Sequence, residues 1–192
     1  MQQLNICIDI DGTITDPYYW LDISNKFFNK SISEEQVTEY HCYKVMGVEQ
    51  EEYREFYENY KFEIHSKQEL RENVRDVLEI LSINHKIFFI TARDSSLSML
   101  TYSYLKTNNI SFNDLFLLGS HYKVDKAKEL NCSVFIEDNY DNAIQLSENG
   151  FKVLLIDTNY NRNPINDRIT RVYNWNDIYT FINSMCIKKE AI

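Results

Sequence analysis

The sequence contains little glycine and proline. Its 4 glycines and 2 prolines among 192 residues predict no long flexible linker. No stretch approaches the roughly 20 apolar residues that a membrane-spanning helix requires. The N-terminus has neither the basic region nor the apolar core of a signal peptide. These absences lead us to expect a soluble, cytoplasmic protein.

Cysteine is also scarce, and its positions show no pairing pattern. The 4 cysteines are scattered without a Cys-x-x-Cys pair. We therefore expect reduced, structural thiols, which agrees with a cytoplasmic location. The cysteines are Cys7, Cys42, Cys132 and Cys186.

Positive charge is in deficit, since the formal net charge is −9 at pH 7. This balance argues against binding to a nucleic acid polymer or to an anionic membrane. It leaves room for a small phosphorylated substrate, because a metal ion and a few cationic side chains can dominate locally. Hydrophobic residues make up 44% and charged residues 26% of the chain, as in ordinary globular proteins. The length suits one sizeable core with a small inserted part.

The segment that begins at Leu4 carries the pattern on which the function depends. Alternating apolar residues from Leu4 to Ile10 predict a buried strand, and Gly12 permits an abrupt turn after it. Side chains two residues apart lie on one face of a strand, roughly 6–7 Å apart, so Asp9 and Asp11 leave its carboxyl end together. Two such carboxylates need a compensating cation. Their hard oxygen ligands suit Mg²⁺, with one carboxylate left free to attack.

The rest of the chain separates into a helical part and an alternating part. Residues 16–79 contain helical patterns, with capping boxes predicted at Ser33 and Ser66. From residue 80 onward strands alternate with helices, which predicts a parallel sheet with helices on both faces. We expect an α/β, Rossmann-like core of residues 1–15 and 80–192, with a small helical cap of residues 16–79 inserted after strand one. The later strands are predicted at Lys86–Thr91, Asp114–Leu118, Ser133–Ile136, Lys152–Asp157 and Arg171–Tyr173.

Further chemical signals fall at the predicted strand ends. Thr91 ends the second strand, where a hydroxyl can donate to a phosphoryl oxygen or simply cap the next helix. Lys123 opens the helix after the third strand, where an ammonium would neutralise a nucleophile and a phosphate. Lys126, one turn later, competes for the same role. Glu137 and Asp138 end the fourth strand, and adjacent buried carboxylates are costly without a cation.

Taken in this order, the signals resemble the haloacid dehalogenase superfamily of phosphohydrolases. That superfamily carries Asp-x-Asp-Gly-Thr after strand one, a serine or threonine after strand two, a lysine, and an acidic pair after strand four. The motifs span most of the chain, and their joint occurrence is far more specific than any one of them. The matching residues here are Asp9-Ile10-Asp11-Gly12-Thr13, Thr91, Lys123 and Glu137-Asp138.

The resemblance implies a role for each matching residue. Asp9 would be the nucleophile that forms an aspartyl-phosphate, and Asp11 would be the general acid and then the general base. Mg²⁺ would be held by the carboxylates of Asp9 and Asp138 and by the backbone carbonyl of Asp11. Glu137 would support these ligands from behind or replace one of them. The phosphoryl-binding residues would be Thr91 and Lys123.

Within the superfamily, the chain resembles the 5′(3′)-deoxyribonucleotidase group. The shared features are the short helical cap, the aromatic residues just after Asp-Gly-Thr, and Thr-Ala-Arg after strand two. The Glu137-Asp138 pair departs from that group's usual Asp-Asp. Aromatic side chains of the cap stack on the nucleobase in that group, and packing inside the cap is the other explanation for any one of them. Arg93 could reach a second phosphate or a sugar hydroxyl, or could pair with an acid. The aromatic candidates are Tyr18, Tyr19, Trp20, Phe27 and Phe28.

The leading hypothesis is a Mg²⁺-dependent phosphomonoesterase, a nucleotidase that hydrolyses (deoxy)nucleoside monophosphates through an aspartyl-phosphate. A sugar phosphate or another small phosphate ester is the alternative substrate, which a polar rather than an aromatic cap pocket would favour. A non-catalytic phosphate-binding protein is a third hypothesis, and the intact set of motif residues argues against it. The sequence leaves the base, the sugar, the 5′ or 3′ position and the oligomeric state open.

Overall fold

A parallel sheet lies at the centre of the computed structural model, which describes residues 2–187. Within these residues the sheet has six strands in the order β3-β2-β1-β4-β5-β6, and all neighbouring strands are parallel. The predicted Rossmann-like α/β fold is confirmed. The strands are β1 (Asn5–Ile8), β2 (Lys86–Thr91), β3 (Asp114–Leu117), β4 (Val134–Glu137), β5 (Val153–Ile156) and β6 (Ile169–Val172).

Helices cover both faces of this sheet. Within the described residues they are α1 (Leu21–Phe28), α2 (Cys42–Met46), α3 (Gln50–Ser66), α4 (Val74–Ser82), α5 (Ser98–Thr107), α6 (Val124–Glu129), α7 (Tyr140–Glu148) and α8 (Trp175–Ile187). Buried side chains of α4, α5 and α8 form one apolar cluster with the sheet, and those of α6 and α7 form a second. None of the helices in the described part of the chain is long and apolar enough to cross a membrane.

The central strand β1 shows why the sheet is buried on both sides. Ile6 and Ile8 belong to the first apolar cluster, and Cys7 belongs to the second. Strand β1 pairs with β2 on one side and β4 on the other, so the chain order reverses between β1 and β4. In open α/β sheets, the crevice at such a reversal is where ligands bind, outside the carboxyl ends of the strands.

Residues 16–73, called here the helical insertion, lie between β1 and α4. The two ends of the insertion pair with each other, because the Asp16 N–H donates to the Glu69 carbonyl and the Arg71 N–H donates to the Ile14 carbonyl, both at 2.9 Å. The insertion has an apolar cluster of its own. The buried members of this insertion cluster are Trp20, Leu21, Val37, Met46, Phe56 and Ile64.

Two sequence-based expectations about the helical region differ from the structure. The expected boundary between residues 79 and 80 falls inside α4, whose residues Val77 and Leu78 pack in the apolar cluster of the sheet. The predicted capping box at Ser66 is wrong, since α3 ends there and α4 begins only at Val74. Residues 69–71 make the backbone pairs that close the insertion, and these pairs exclude a helix at that point.

The other predicted turns and element ends agree closely with the structure. The capping box at Ser33 is present, although it opens only a single 3-10 turn, Glu34–Gln36. The Asp94 side chain accepts from the Ser96 N–H at 2.8 Å and caps the turn before α5. The predicted strands are shifted by no more than about two residues, which is the usual uncertainty of element ends. All four cysteines are free.

Candidate active site

The residues singled out by the motifs converge at the carboxyl edge of the sheet. Asp9 follows β1, Thr91 ends β2, and Glu137 ends β4 with Asp138 directly after it. The Asp9 N–H still donates to the Ile136 carbonyl at 3.0 Å, which fixes the end of β1 beside the end of β4. These four motif side chains are buried, so the edge of the sheet holds an unusual concentration of enclosed polar groups.

Lys123 places a positive charge at this edge of the sheet. Its Nζ donates to Asp9 Oδ1 at 2.5 Å and to Glu137 Oε2 at 2.8 Å, and its side chain is only 1% exposed. Lys126, the competing candidate, instead pairs with Glu129 on the surface of α6. Burial opposes the charged ammonium, but the two carboxylates raise the pKa of Lys123 above its ordinary value. The geometry therefore favours Lys123 over Lys126 as the motif lysine.

Asp9, Glu137 and Asp138 form an acidic cluster in which one oxygen from each lies within 4.8 Å of the others. Burial raises the pKa of Asp9 well above its usual range, and the neighbouring carboxylates add to this effect against the attraction of Lys123. Burial and Glu137 likewise raise the pKa of Asp138 to about 7. Three buried carboxylates beside a single ammonium leave uncompensated negative charge, and their hard oxygen atoms suit a divalent cation. The residues present therefore fit a metal.

Asp11 is held apart from this cluster by residues of the core and of the insertion. Arg93 donates to both carboxylate oxygens of Asp11, from Nε at 2.8 Å and from Nη2 at 2.7 Å. Gln68 Nε2 donates to Asp11 at 2.5 Å, and His65 Nδ1 lies 3.4 Å from the same carboxylate. Burial alone would raise the pKa of Asp11, but Arg93 and His65 hold it well below its ordinary value. The Asp11 side chain is therefore ionised in this arrangement.

Each carboxylate oxygen of Asp138 accepts a hydrogen bond from a hydroxyl group. Thr13 Oγ1 donates to Oδ1 at 3.2 Å, and the Tyr160 hydroxyl donates to Oδ2 at 2.5 Å. Gly12 is required here, because its φ is +75° and a Cβ at this position would lie 2.7 Å from the Tyr160 hydroxyl and would also overlap Asp138. The glycine of the first motif thus permits both the turn and the close approach of these two side chains.

A cavity of about 430 Å³ opens next to this edge, between the strand ends and the insertion. Asp11, Gly12 and Asp138 contribute to its wall on the sheet side, and most of the remaining wall is aromatic. This volume lies in the range of small-molecule sites, about 300–1,000 Å³. The aromatic residues of the wall are Tyr19, Trp20, Tyr40, Tyr43, Tyr53, Tyr57 and Tyr160, with His41 and His121 beside them.

A second, larger cavity of about 770 Å³ lies on another side of the insertion. Its walls carry several carboxylates, among them Asp16, Asp22 and Glu34, and none of the acidic cluster of the strand ends. Carboxylates repel an anionic substrate. The smaller cavity is therefore the one that fits the chemistry of the strand ends.

A model of one protein family matches residues 2–190 of the sequence. The family is described as 5′ nucleotidase, deoxy (Pyrimidine), cytosolic type C protein, abbreviated NT5C. The chain belongs to this family. A nucleotidase of Clostridium acetobutylicum is 56% identical over 192 residues and the match covers 100% of both chains. YqfW of Bacillus subtilis is 34% identical over 182 residues, covering 94% of each chain.

The fold of this NT5C family member is also found among solved structures. A haloacid dehalogenase-like family hydrolase from Streptococcus pneumoniae superposes with a TM-score of 0.70 at 15% sequence identity, covering 94% of this chain and 98% of that one. The resemblance drawn from the motifs, to the haloacid dehalogenase superfamily and its nucleotidase group, is confirmed. The chain is a hydrolase of the nucleotidase type.

In this NT5C family member, only some of the aromatic residues expected at the substrate lie in the cavity wall. Trp20 and Tyr19 do. Tyr18 lines the larger cavity instead, and its hydroxyl accepts from the Asn159 N–H at 3.2 Å. Phe27 and Phe28 contact each other and Phe56 of α3 in edge-to-face or tilted geometry, and Phe27 stays half exposed.

Arg93 does not have the freedom that a substrate contact requires. It is 4% exposed, and its guanidinium bonds Asp11, Gln68 and Thr101. Of the expectations for Arg93, the structure supports pairing with an acid. Sequence reasoning missed Gln68 and the aromatic residues from 40 to 57, because no local pattern marks a residue that meets the site only through the fold.

The acidic cluster predicts that metal binding depends on pH. Because the pKa of Asp138 is raised to about 7, protonation of Asp138 stabilises the folded, metal-free protein, and that contribution is lost as the pH rises through about 7. In EDTA we therefore expect a higher melting temperature near about pH 5.5 than near about pH 8. Added Mg²⁺ should raise the melting temperature more at the higher pH, since the cation replaces the proton.

Differential scanning calorimetry in EDTA and in Mg²⁺ measures both effects. The control is Asp138→Asn, which removes one of the raised carboxyl groups and should reduce the pH dependence. A gain from Mg²⁺ that is equal at both pH values would contradict the assignment of the cluster as the cation site.

Proposed function

We propose that the protein hydrolyses nucleoside monophosphates in a Mg²⁺-dependent reaction that passes through an aspartyl-phosphate on Asp9. One observation supports this proposal more strongly than any other. A buried nucleophile, cation and acidic cluster lie at the same strand ends from which an aromatic cavity of about 430 Å³ opens. Membership of the NT5C family supports the same activity.

In the first step, a carboxylate oxygen of Asp9 attacks phosphorus, and the ester P–O bond breaks as the new O–P bond forms. The departing alkoxide takes the electron pair of the broken bond and a proton from Asp11. Lys123 favours the ionised form of Asp9 against the effect of burial, and it would neutralise charge on the phosphoryl oxygens. The hydroxyl of Thr91, at the end of the neighbouring strand β2, would donate to one of these oxygens.

In the second step, a water molecule gives a proton to Asp11 and attacks the phosphorus of the aspartyl-phosphate. The bond between Asp9 and phosphorus breaks, and inorganic phosphate leaves. Arg93 and Gln68 orient the Asp11 carboxylate for both proton transfers, because they hold both of its oxygens. Asp11 is ionised in the substrate-free arrangement, and the negative charge of an approaching phosphate favours its uptake of a proton.

Asp9, Glu137 and Asp138 would hold the Mg²⁺, with the backbone carbonyl of Asp11 as a further ligand. The cation would neutralise charge on the transferring phosphoryl group and on the nucleophile. Because an oxygen of Glu137 lies within 4.8 Å of oxygens of Asp9 and Asp138, we propose Glu137 as a ligand, one of the two roles that the motif left open. Its Oε1 also accepts from the Asn139 N–H at 3.1 Å, which orients the side chain.

The leaving nucleoside would lie in the aromatic cavity. Aromatic walls stack on any nucleobase, whereas a sugar alone would favour polar walls. The family description names deoxy and pyrimidine substrates, and we propose pyrimidine deoxyribonucleoside monophosphates as the first compounds to test. The same description names a cytosolic type, and the four free thiols fit a reducing compartment, so we place the protein in the cytoplasm.

Phosphate release from a substrate panel tests this proposal. We expect Mg²⁺-dependent release from ribo- and deoxyribonucleoside 5′- and 3′-monophosphates at a kcat/KM at least about tenfold above that for hexose and pentose phosphates, because one stacked base contributes about 1–3 kcal/mol. EDTA should abolish release. Preference for sugar phosphates would support the phosphomonoesterase reaction and reject nucleotides as the substrate. The absence of phosphate release from every ester would reject the phosphomonoesterase reaction itself.

A further inference from the structure

Tyr160 belongs to two parts of the molecule at once. It lies in the loop after β5, yet its side chain packs against the insertion cluster. Among the residues that the structure describes, it is the one contributor to that cluster from outside residues 16–73. Its ring meets Tyr40 edge to face at a centroid distance of 5.7 Å and meets Tyr18 in the same manner at 6.4 Å.

The hydroxyl of Tyr160 points the other way, into the acidic cluster. It donates to Asp138 Oδ2 at 2.5 Å. Gly12, with no side chain, leaves the space in which this bond forms.

Hydrogen bonds of this kind act on metal sites in a known way. A group that bonds a metal-ligating carboxylate fixes its orientation, and loss of such a group typically weakens metal binding about 10- to 100-fold. The Thr13 hydroxyl holds the other oxygen of Asp138 at the longer distance of 3.2 Å. Two hydroxyls therefore orient the Asp138 carboxylate, and the one from Tyr160 belongs to a side chain that packs against the insertion.

We propose that Tyr160 is a positioning residue that connects the metal site to the helical insertion. Its hydroxyl holds Asp138 in the orientation that binds the cation, and its ring is held by the insertion cluster. The inference rests on the proposed function only in taking Mg²⁺ as the cation of the acidic cluster. Coupling of this kind is reciprocal, so Mg²⁺ binding should in turn tighten the packing of the insertion around Tyr40.

The first test is the affinity for Mg²⁺ alone, measured by isothermal titration calorimetry without any substrate. We expect Tyr160→Phe, which keeps the ring and removes the hydroxyl, to weaken Mg²⁺ binding about 10- to 100-fold. The matched control is Tyr18→Phe. It removes the hydroxyl of the neighbouring ring, and that hydroxyl bonds the Asn159 N–H rather than a carboxylate of the cluster. An affinity of Tyr160→Phe equal to that of the control, or higher than wild type, would overturn the proposal.

The second test is hydrogen–deuterium exchange of the intact protein with and without Mg²⁺. In the wild type we expect Mg²⁺ to slow amide exchange in residues 37–43, which include Tyr40, and we expect Tyr160→Phe to lose this slowing even at saturating Mg²⁺. Equal slowing in both proteins would show that the insertion is not coupled through this hydroxyl. Because neither test involves turnover, a failure of the nucleotidase assignment would leave both results interpretable.

Discussion

Replacement of Asp9 by asparagine is expected to lower the rate of phosphate release on the order of 10⁴-fold or more, the usual scale for removing a nucleophile. An amide cannot form the aspartyl-phosphate, although it retains the size and shape of the carboxylate. The variant should remain folded, because burial and the neighbouring carboxylates already make the charge of Asp9 unfavourable. Lys123 would keep its bond to Glu137. Steady-state phosphate release and thermal unfolding in parallel measure the two effects.

The control for Asp9→Asn is Asp114→Asn. Asp114 is an exposed carboxylate at the amino end of β3, the opposite edge of the sheet from the candidate site. Its replacement should change neither activity nor stability appreciably. Turnover by Asp9→Asn within about tenfold of wild type would show that another group is the nucleophile, and the aspartyl-phosphate mechanism would fail.

Replacement of Lys123 by alanine is expected to damage both stability and catalysis. Removing the Lys123 ammonium takes away a partner that contacts both Asp9 and Glu137. Breaking a buried ion pair in this way costs about 3–5 kcal/mol. Loss of a charge that stabilises the transition state should lower kcat about 10²- to 10³-fold. Urea unfolding and steady-state kinetics measure these effects. Saturating Mg²⁺ should restore part of the stability, since the cation compensates the same carboxylates.

Lys126→Ala provides the matched control, because Lys126 competes for the same role in the sequence pattern. Within residues 2–187 its one ion pair is with the exposed Glu129, and surface pairs contribute about 0–1 kcal/mol. We expect its activity to equal that of the wild type. Equal losses in the two lysine variants, or a larger loss in Lys126→Ala, would contradict the geometry of the site.

Several features of the fold and of the site could be predicted because they depend on short stretches of chain. The alternation at residues 4–10 and the later strand and helix patterns predicted the parallel sheet, and the structure confirms it. The positions of Asp9 and Asp138 followed from the same pattern, since the carboxyl ends of parallel strands meet at one edge of a sheet. The sequence named Lys123 and left Lys126 as a competitor for the same role, and the contacts of the two ammonium groups distinguished them.

The predictions that were wrong share a physical cause, which is competition from contacts between residues distant in sequence. The pattern at Ser66 fits a capping box locally, but backbone pairing between residues 14–16 and 69–71 excludes a helix there. Tyr18 is close to the first motif, yet its hydroxyl bonds Asn159 and its side chain lines the larger cavity instead of the one that adjoins the site. Nearness to a motif along the chain did not place a side chain at the substrate.

The sequence by itself determined the fold class, the superfamily and the candidate site residues at the strand ends. Strand alternation and strand-end motifs are local, and the topology of a parallel sheet brings them together. The tertiary structure alone decided the partners of those residues. Gln68 lies 57 residues from Asp11, and Arg93 lies 82 residues from it. Tyr160 lies 22 residues from Asp138. No periodicity encodes such pairs, since each depends on how the insertion and the loops pack over the finished sheet.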